Sequence, residues 1–365
     1  MPAALRAIEE MSLAEIEALR LILRGGSVVD WRRLRFSSRD EVDHFLRLCL
    51  YDSADSRDRD RLQAILDQAV AYLRHTFRYR VDARIARPDE IHDLFLYASG
   101  EKEPRTLRRI ACVVLKVMQV VHHLEARELR FRVRISEAEL ARIVDARVMD
   151  AARDMMAAGL PIAKFTGNLK TRESLVTKLL AKRETLAATI YDRVRYRIVT
   201  HRREDIVPVL NYLAQTLFPF NALMPGQTQN SMISPRELVD RPHLLRLASQ
   251  LENAHEEPGG INEFSGSSYR VLNFVVDVPV RIEATALAAA SDDDRELGNV
   301  VLALVEFQLV DEETARLNER GDNNHARYKR RQRRRVLRRL SRGLVIPKLK
   351  MKFPVQEVPD DDEPN

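Results

Sequence analysis

The hydrophobic pattern changes its period near Gly159, and that change limits what the chain can fold into. Before Gly159, apolar residues recur every three or four positions, the spacing of helices that bury one face. One such stretch runs from Ser12 to Leu23, with Leu13, Ile16, Leu19, Leu21 and Leu23. Another spans Arg61–Thr76, and the most apolar spans Thr106–Leu124, with Ile110, Val113, Val114, Val117, Val120 and Val121. Ser38 with Glu41 and Ser136 with Glu139 are capping-box pairs, which start helices over Val42–Leu50 and from about residue 137 to Gly159. Gly159 suits a helix end because glycine accepts left-handed backbone without a steric penalty. After Gly159 the pattern alternates. Ile190–Thr200, Tyr269–Ile282 and Val300–Leu309 read as strands, with Pro279 a possible break in the second. Arg203–Leu217 reads as an amphipathic helix between the first two strands. Residues 218–268 and 288–297 read as irregular segments, the latter as a hairpin loop carrying Asp292, Asp293 and Asp294. The expectation is an α+β chain: a helical N-terminal region over 1–158, a sheet-containing domain over 159–343, and a tail over 344–365 that is disordered at its acidic end.

Composition narrows the function classes. With 365 residues, 45% of them hydrophobic, the chain can bury full cores. Cys49 and Cys112 are the only cysteines, which excludes a disulfide scaffold and a CxxC-type zinc site. No run approaches the roughly 18 apolar residues of a membrane span, and acids interrupt the first twenty residues. A soluble cytoplasmic protein is expected. The net charge of +6 is unevenly placed: Arg327–Arg342 holds ten Arg or Lys in sixteen residues. Such a run reads either as a solvated helix or as a contact for the phosphates of RNA or the ribosome.

Two carboxylates lie within strand patterns, Asp192 in the first and Glu306 in the third. A carboxylate among apolar strand residues is costly unless it is neutralised, by an arginine or by a shared divalent cation. Upstream, Lys170, Ser174 and Lys178 fall four apart, which aligns them if the segment is helical. Two ammonium groups and a hydroxyl on one helical face can hold a triphosphate; a solvated basic face is the simpler reading. Tyr269 opens a strand after FSGSS, where an aromatic ring either stacks on a nucleobase or packs as an ordinary strand tyrosine.

The order of these pieces is Lys170-x3-Ser174-x3-Lys178, Asp192-x4-Arg197, Tyr269, Glu306-x-Gln308 and His325-x-x-Tyr328-Lys329. It resembles the synthetase domain of the RelA/SpoT family of alarmone enzymes, over about Gly167 to Lys329. The resemblance implies a nucleotidyltransferase-like mixed β-sheet flanked by helices. It implies transfer of the β,γ-pyrophosphate of ATP to a ribose 3′-hydroxyl of a guanine nucleotide, or of a related acceptor such as an RNA 3′ end. The product class would be guanosine tetraphosphate, the alarmone of the stringent response. By the same resemblance Asp192 and Glu306 would bind Mg²⁺, and Glu306 would accept the hydroxyl proton. Lys170, Ser174, Lys178, Arg197, Gln308, His325 and Lys329 would meet nucleotide, and Tyr269 would stack on the acceptor base. The chain departs from the family pattern at Asn168, Ser267, Ser268, Val271, Asn273 and Val310. These departures fall on acceptor recognition and secondary phosphate contacts, so a catalytically degenerate nucleotide- or RNA-binding module is the alternative. His92-Asp93 and His122-His123 lack the acidic neighbours of the family's hydrolase half, so they read as ordinary helix residues and no hydrolase activity is expected.

Overall fold

The computed structural model describes residues 10–26, 34–100, 103–133, 135–169, 172–181, 194–234, 238, 269–282, 291, 296–320 and 325–340. Seven helices come first: α1 (Leu13–Arg24), α2 (Arg39–Leu48), α3 (Ser56–Phe77), α4 (Ala83–Ala86), α5 (Ile91–Ser99), α6 (Arg105–Arg132) and α7 (Glu137–Ala157). The caps follow the sequence. Ser12 and Glu15 form a reciprocal capping box at the start of α1. Ser38 accepts from the Glu41 amide at the start of α2, while the Glu41 carboxylate accepts from the Ser37 amide. Ser136 accepts from the Glu139 amide at the start of α7. Beyond α7, Gly159 has φ +74°, the left-handed conformation expected of it.

The remainder is β1 (Ile162–Leu169), α8 (Arg172–Ala181), β2 (Val194–Thr200), α9 (Ile206–Thr216), β3 (Gln229–Asn230), β4 (Leu272–Arg281), β5 (Val300–Asp311), α10 (Glu312–Asn318) and α11 (His325–Leu340). The strands form one sheet in the order β1-β2-β5-β4-β3. β2 and β5 run parallel and the other neighbours antiparallel, so the chain is α+β with a mixed sheet. β1 and the short β3 are strands that the alternation does not predict. β4 runs unbroken through Pro279, which pairs with Leu302. Proline is tolerated there because β3 pairs only with Leu272 and Asn273, so on that side Pro279 has no strand to which it would donate.

Strand alternation gives the sheet one apolar and one mixed face. On the apolar face Phe165, Tyr196, Phe307 and Phe274 form a row across β1, β2, β5 and β4, with ring centroids 5.6–5.7 Å apart. α1, α7, α9 and the end of α6 close over this row and share its core. The Tyr196 hydroxyl donates to Asp145 Oδ1 on α7 at 2.7 Å, satisfying the one polar atom of the buried ring. Gly167 lies opposite Tyr196, where a Cβ would come within 2.9 Å of the ring. A second core joins α2, α3, α5 and the first half of α6. Arg281 at the end of β4 ties the two by donating to Asp58 Oδ2 on α3 at 2.9 Å.

Gly25 ends α1 with φ +67° beside Thr228, whose Cβ would lie 2.7 Å from an added Cβ. Gly25→Ala is expected to cost about 1–2 kcal/mol in backbone strain alone, and more through the Thr228 clash. Urea unfolding measures this; an unchanged midpoint would show that the turn relaxes freely.

Candidate functional site

The mixed face of the sheet is polar at its centre. The same alternation that buries Tyr196 and Phe307 turns Arg195 and Arg197 of β2, Glu306 and Gln308 of β5, and Asn273 of β4 the other way. Register makes them neighbours: Arg195 is opposite Glu306, and Gln308 lies between Arg197 and Asn273. Glu306 is 6% exposed and Gln308 8% exposed. Gln308 Nε2 donates to Glu306 Oε1 at 3.5 Å. Arg195 Nε stands 3.6 Å from Glu306 Oε2, close enough for ionic attraction and too far for a hydrogen bond. Arg197 reaches Glu319 at 3.8 Å.

Helices complete the site. α8 packs against α11. Lys329 on α11 loses basicity, first through burial and then through the positive charges of Arg333 and Arg195. Gln332, one turn further along α11, is buried. Tyr269 lies three residues before β4 and packs with Val199, Val271, Val310 and Ala315. Val310 is on the face of Glu306, four residues or roughly 13 Å along the strand. Asn318 of α10 fixes the backbone next to the tyrosine, accepting from the Arg270 amide at 3.1 Å and donating to the Arg270 carbonyl at 2.6 Å.

The structure thus brings Glu306, Gln308 and Arg197 to one face, with Tyr269 at its end and Lys329 on α11 within reach of the Arg195 charge. Ser174 lies on α8. Lys178 and His325 occupy backbone positions on α8 and α11. Lys170 and Asp192 lie outside the described residues, as do the side chains of Lys178, His325 and Tyr328. Arg195 and Asn273 belong to the same sheet face. Arg195 was readable from its parity with Arg197; Asn273 carries no local signal.

Three polar atoms here are buried with no hydrogen-bond partner among the described residues: Arg195 Nε, Glu306 Oε2 and Asn273 Oδ1. Each such atom costs about 1–3 kcal/mol if nothing pairs with it. Their concentration around one carboxylate and three cations describes a site for a polar, anionic ligand. Among the described residues no three His, Cys, Asp or Glu side chains converge as a metal site. The unpartnered Glu306 oxygen suits one position in the coordination of a hard cation.

No family model and no curated protein matches the chain. Solved structures similar to it include small alarmone synthetase 1 from Bacillus subtilis, at 14% identity over 60% of this chain and 87% of that one, with a TM-score of 0.30. Small alarmone synthetase 2 from Bacillus subtilis is 16% identical over 57% of this chain and 99% of that one, with a TM-score of 0.31. A GTP pyrophosphokinase family protein from Streptococcus pneumoniae is 14% identical over 57% and 93%, with a TM-score of 0.26. At this level of similarity the side chains of the protein itself, and not its neighbours, carry the function.

Proposed function

We propose that the polar face binds a nucleoside triphosphate and transfers its terminal pyrophosphate to the ribose 3′-hydroxyl of a guanine nucleotide or of an RNA 3′ end. The observation that carries this reading is Glu306, a buried carboxylate that faces Arg195 and shares its sheet face with Arg197, while Arg195 also acts on the charge of Lys329 on α11. Cations held in a partly dry cleft attract phosphates more strongly than they would in water. The acceptor hydroxyl oxygen attacks the β-phosphorus, the bond from that phosphorus to the α,β-bridging oxygen breaks, and AMP leaves. Glu306 takes the hydroxyl proton. Arg195, Arg197 and Lys329 hold the phosphate oxygens in line, and Tyr269 offers a ring for the acceptor base. Mg²⁺ held by Glu306 and Asp192 would neutralise charge on the phosphates. Incubation with γ-labelled ATP and a panel of GDP, GTP and tRNA, followed by chromatography of the products, tests the reaction directly. Label appearing on none of the acceptors would overturn it.

Lys329→Gln is expected to weaken ATP binding by roughly 10–100-fold, the worth of one charge-assisted hydrogen bond of about 1.5–3 kcal/mol. Calorimetric titration measures this, and unchanged affinity would remove Lys329 from the site. A second reading also rests on an observation. Arg195 already stands against Glu306, as it would in a module that binds nucleotide or RNA without reacting. Arg333 and Arg334 on α11 are exposed and could meet an RNA backbone. That reading requires salt-sensitive RNA binding that is lost on neutralising Arg333, Arg334 and Arg335, together with no labelled product.

A further inference from the structure

A cavity of about 240 Å³ lies between the helical core and the far end of β4 and β5, away from Glu306. Phe36, Phe45, Phe95, Phe220, Leu115 and Met118 are among the side chains that line it. Rings of Phe36, Phe45, Phe95 and Phe220 contact one another with centroids 5.4–5.7 Å apart, which gives a rigid, flat-sided lining. A cavity of about 150 Å³ with such a lining holds a benzene ring, so this one has room for a fused bicycle. The exposed side chains of Val120 and Leu124 also line it and mark its opening.

The polar atoms of the cavity gather along one side of α6. Gln119 and His123 are four residues apart, hence one turn apart on a single helical face. Gln119 is engaged by Asn221, which donates from Nδ2 to Gln119 Oε1. That pairing leaves Asn221 Oδ1 buried, with no donor among the described residues. His123 Nδ1 stands 3.4 Å from Asp277 Oδ2. Asp277 is 5% exposed. Burial pushes its carboxyl up to about 6, against the opposing pull of Arg127 and Arg130. His122 also lines the cavity, and burial, with Arg61 and His123 beside it, brings its imidazole down to about 4. His123 shifts downward for the same reason, with Arg127 contributing. Near neutral pH both rings are uncharged. The cavity therefore presents an apolar body and two acceptors, the Asn221 amide oxygen and the Asp277 carboxylate, with Arg127 and Arg130 acting on the carboxylate from a distance.

We infer that this cavity is a binding site for a compact, planar, apolar molecule bearing one ammonium group, with the ring held among the phenylalanines and the ammonium on Asn221 Oδ1 and Asp277. The site lies on the same side of the sheet as Glu306 but farther along the strands, toward their other end. It uses the same two strands: Leu302 of β5 lines the cavity four residues before Glu306, and Asp277 follows by two the residue that pairs with Glu306.

Calorimetry on the full chain at pH 8 tests this with three probes of one shape: tryptamine, uncharged 3-ethylindole and anionic indole-3-acetate. Tryptamine is expected to bind once per chain, at least tenfold more tightly than 3-ethylindole, with indole-3-acetate weakest. In Asp277→Asn the preference for tryptamine over 3-ethylindole should fall below threefold. Val120→Trp, which alters only the rim, should weaken both. Glu306→Gln should leave tryptamine binding unchanged. The inference fails if no probe saturates, or if the native chain does not distinguish the amine from its neutral analogue. It fails equally if Asp277→Asn and Val120→Trp both bind tryptamine normally, or if Glu306→Gln abolishes binding.

Discussion

Glu306→Gln is expected to cut formation of labelled product by roughly 10²–10⁴-fold, the usual worth of a positioned proton acceptor. The substitution keeps the shape of the side chain and its contact with Gln308, so thermal unfolding should move little. ATP affinity should hold or rise slightly, because a negative charge is removed from beside the phosphates. That divergence separates the proposed chemistry from simple binding. In a non-catalytic module the variant would change affinity alone, since there would be no product to lose. Product formation within threefold of the native chain would remove Glu306 from the reaction.

Asp277→Asn and His122→Phe should shift stability in opposite directions with pH. The Asp277 carboxyl is raised in the folded chain from 3.8 to about 6. Its protonated form is favoured by folding, so its contribution is fully present below pH 4 and is lost as pH rises through 6. A shift of that size is worth about 3 kcal/mol, and Asp277→Asn should recover most of it at pH 8 and none at pH 4. The His122 imidazole is lowered from 6.5 to about 4, so its neutral form is favoured by folding. That contribution is present above pH 6.5 and is lost as pH falls toward 4. His122→Phe should therefore reduce acid sensitivity by about 3 kcal/mol across the same window. The two slopes offset each other in the native chain, and each single variant exposes the other. Urea unfolding at pH 4, 6 and 8 measures both. Parallel stability profiles for all three proteins would contradict the burial of these groups.

Much of this architecture was legible because local pattern and packing agree. The caps at Ser12, Ser38 and Ser136 and the alternation through Arg195, Arg197, Glu306 and Gln308 could be read from neighbouring residues alone. β1 could not. Its register shifts between Ile162 and Lys164, so the residues facing the core, Ile162 and Phe165, fall three apart and mimic a helix. The next segment belongs to α8, which begins only at Arg172. Tyr269 was placed within the strand pattern but lies ahead of β4, held there by Asn318, a residue almost fifty positions away. The pairs that furnish the cavity, Gln119 with Asn221 and His123 with Asp277, join positions more than a hundred residues apart, and nothing in either neighbourhood announces the other.

The four stacked rings bear on motion as well as on stability. A strand that slid by one residue would carry its ring to the opposite side of the sheet, so the row acts as a lock on relative strand movement. Closure around a substrate then falls to the cover rather than the floor. α8 and α11 pack against each other, so under the proposed reaction any closure over bound nucleotide would have to move them together and not the strands.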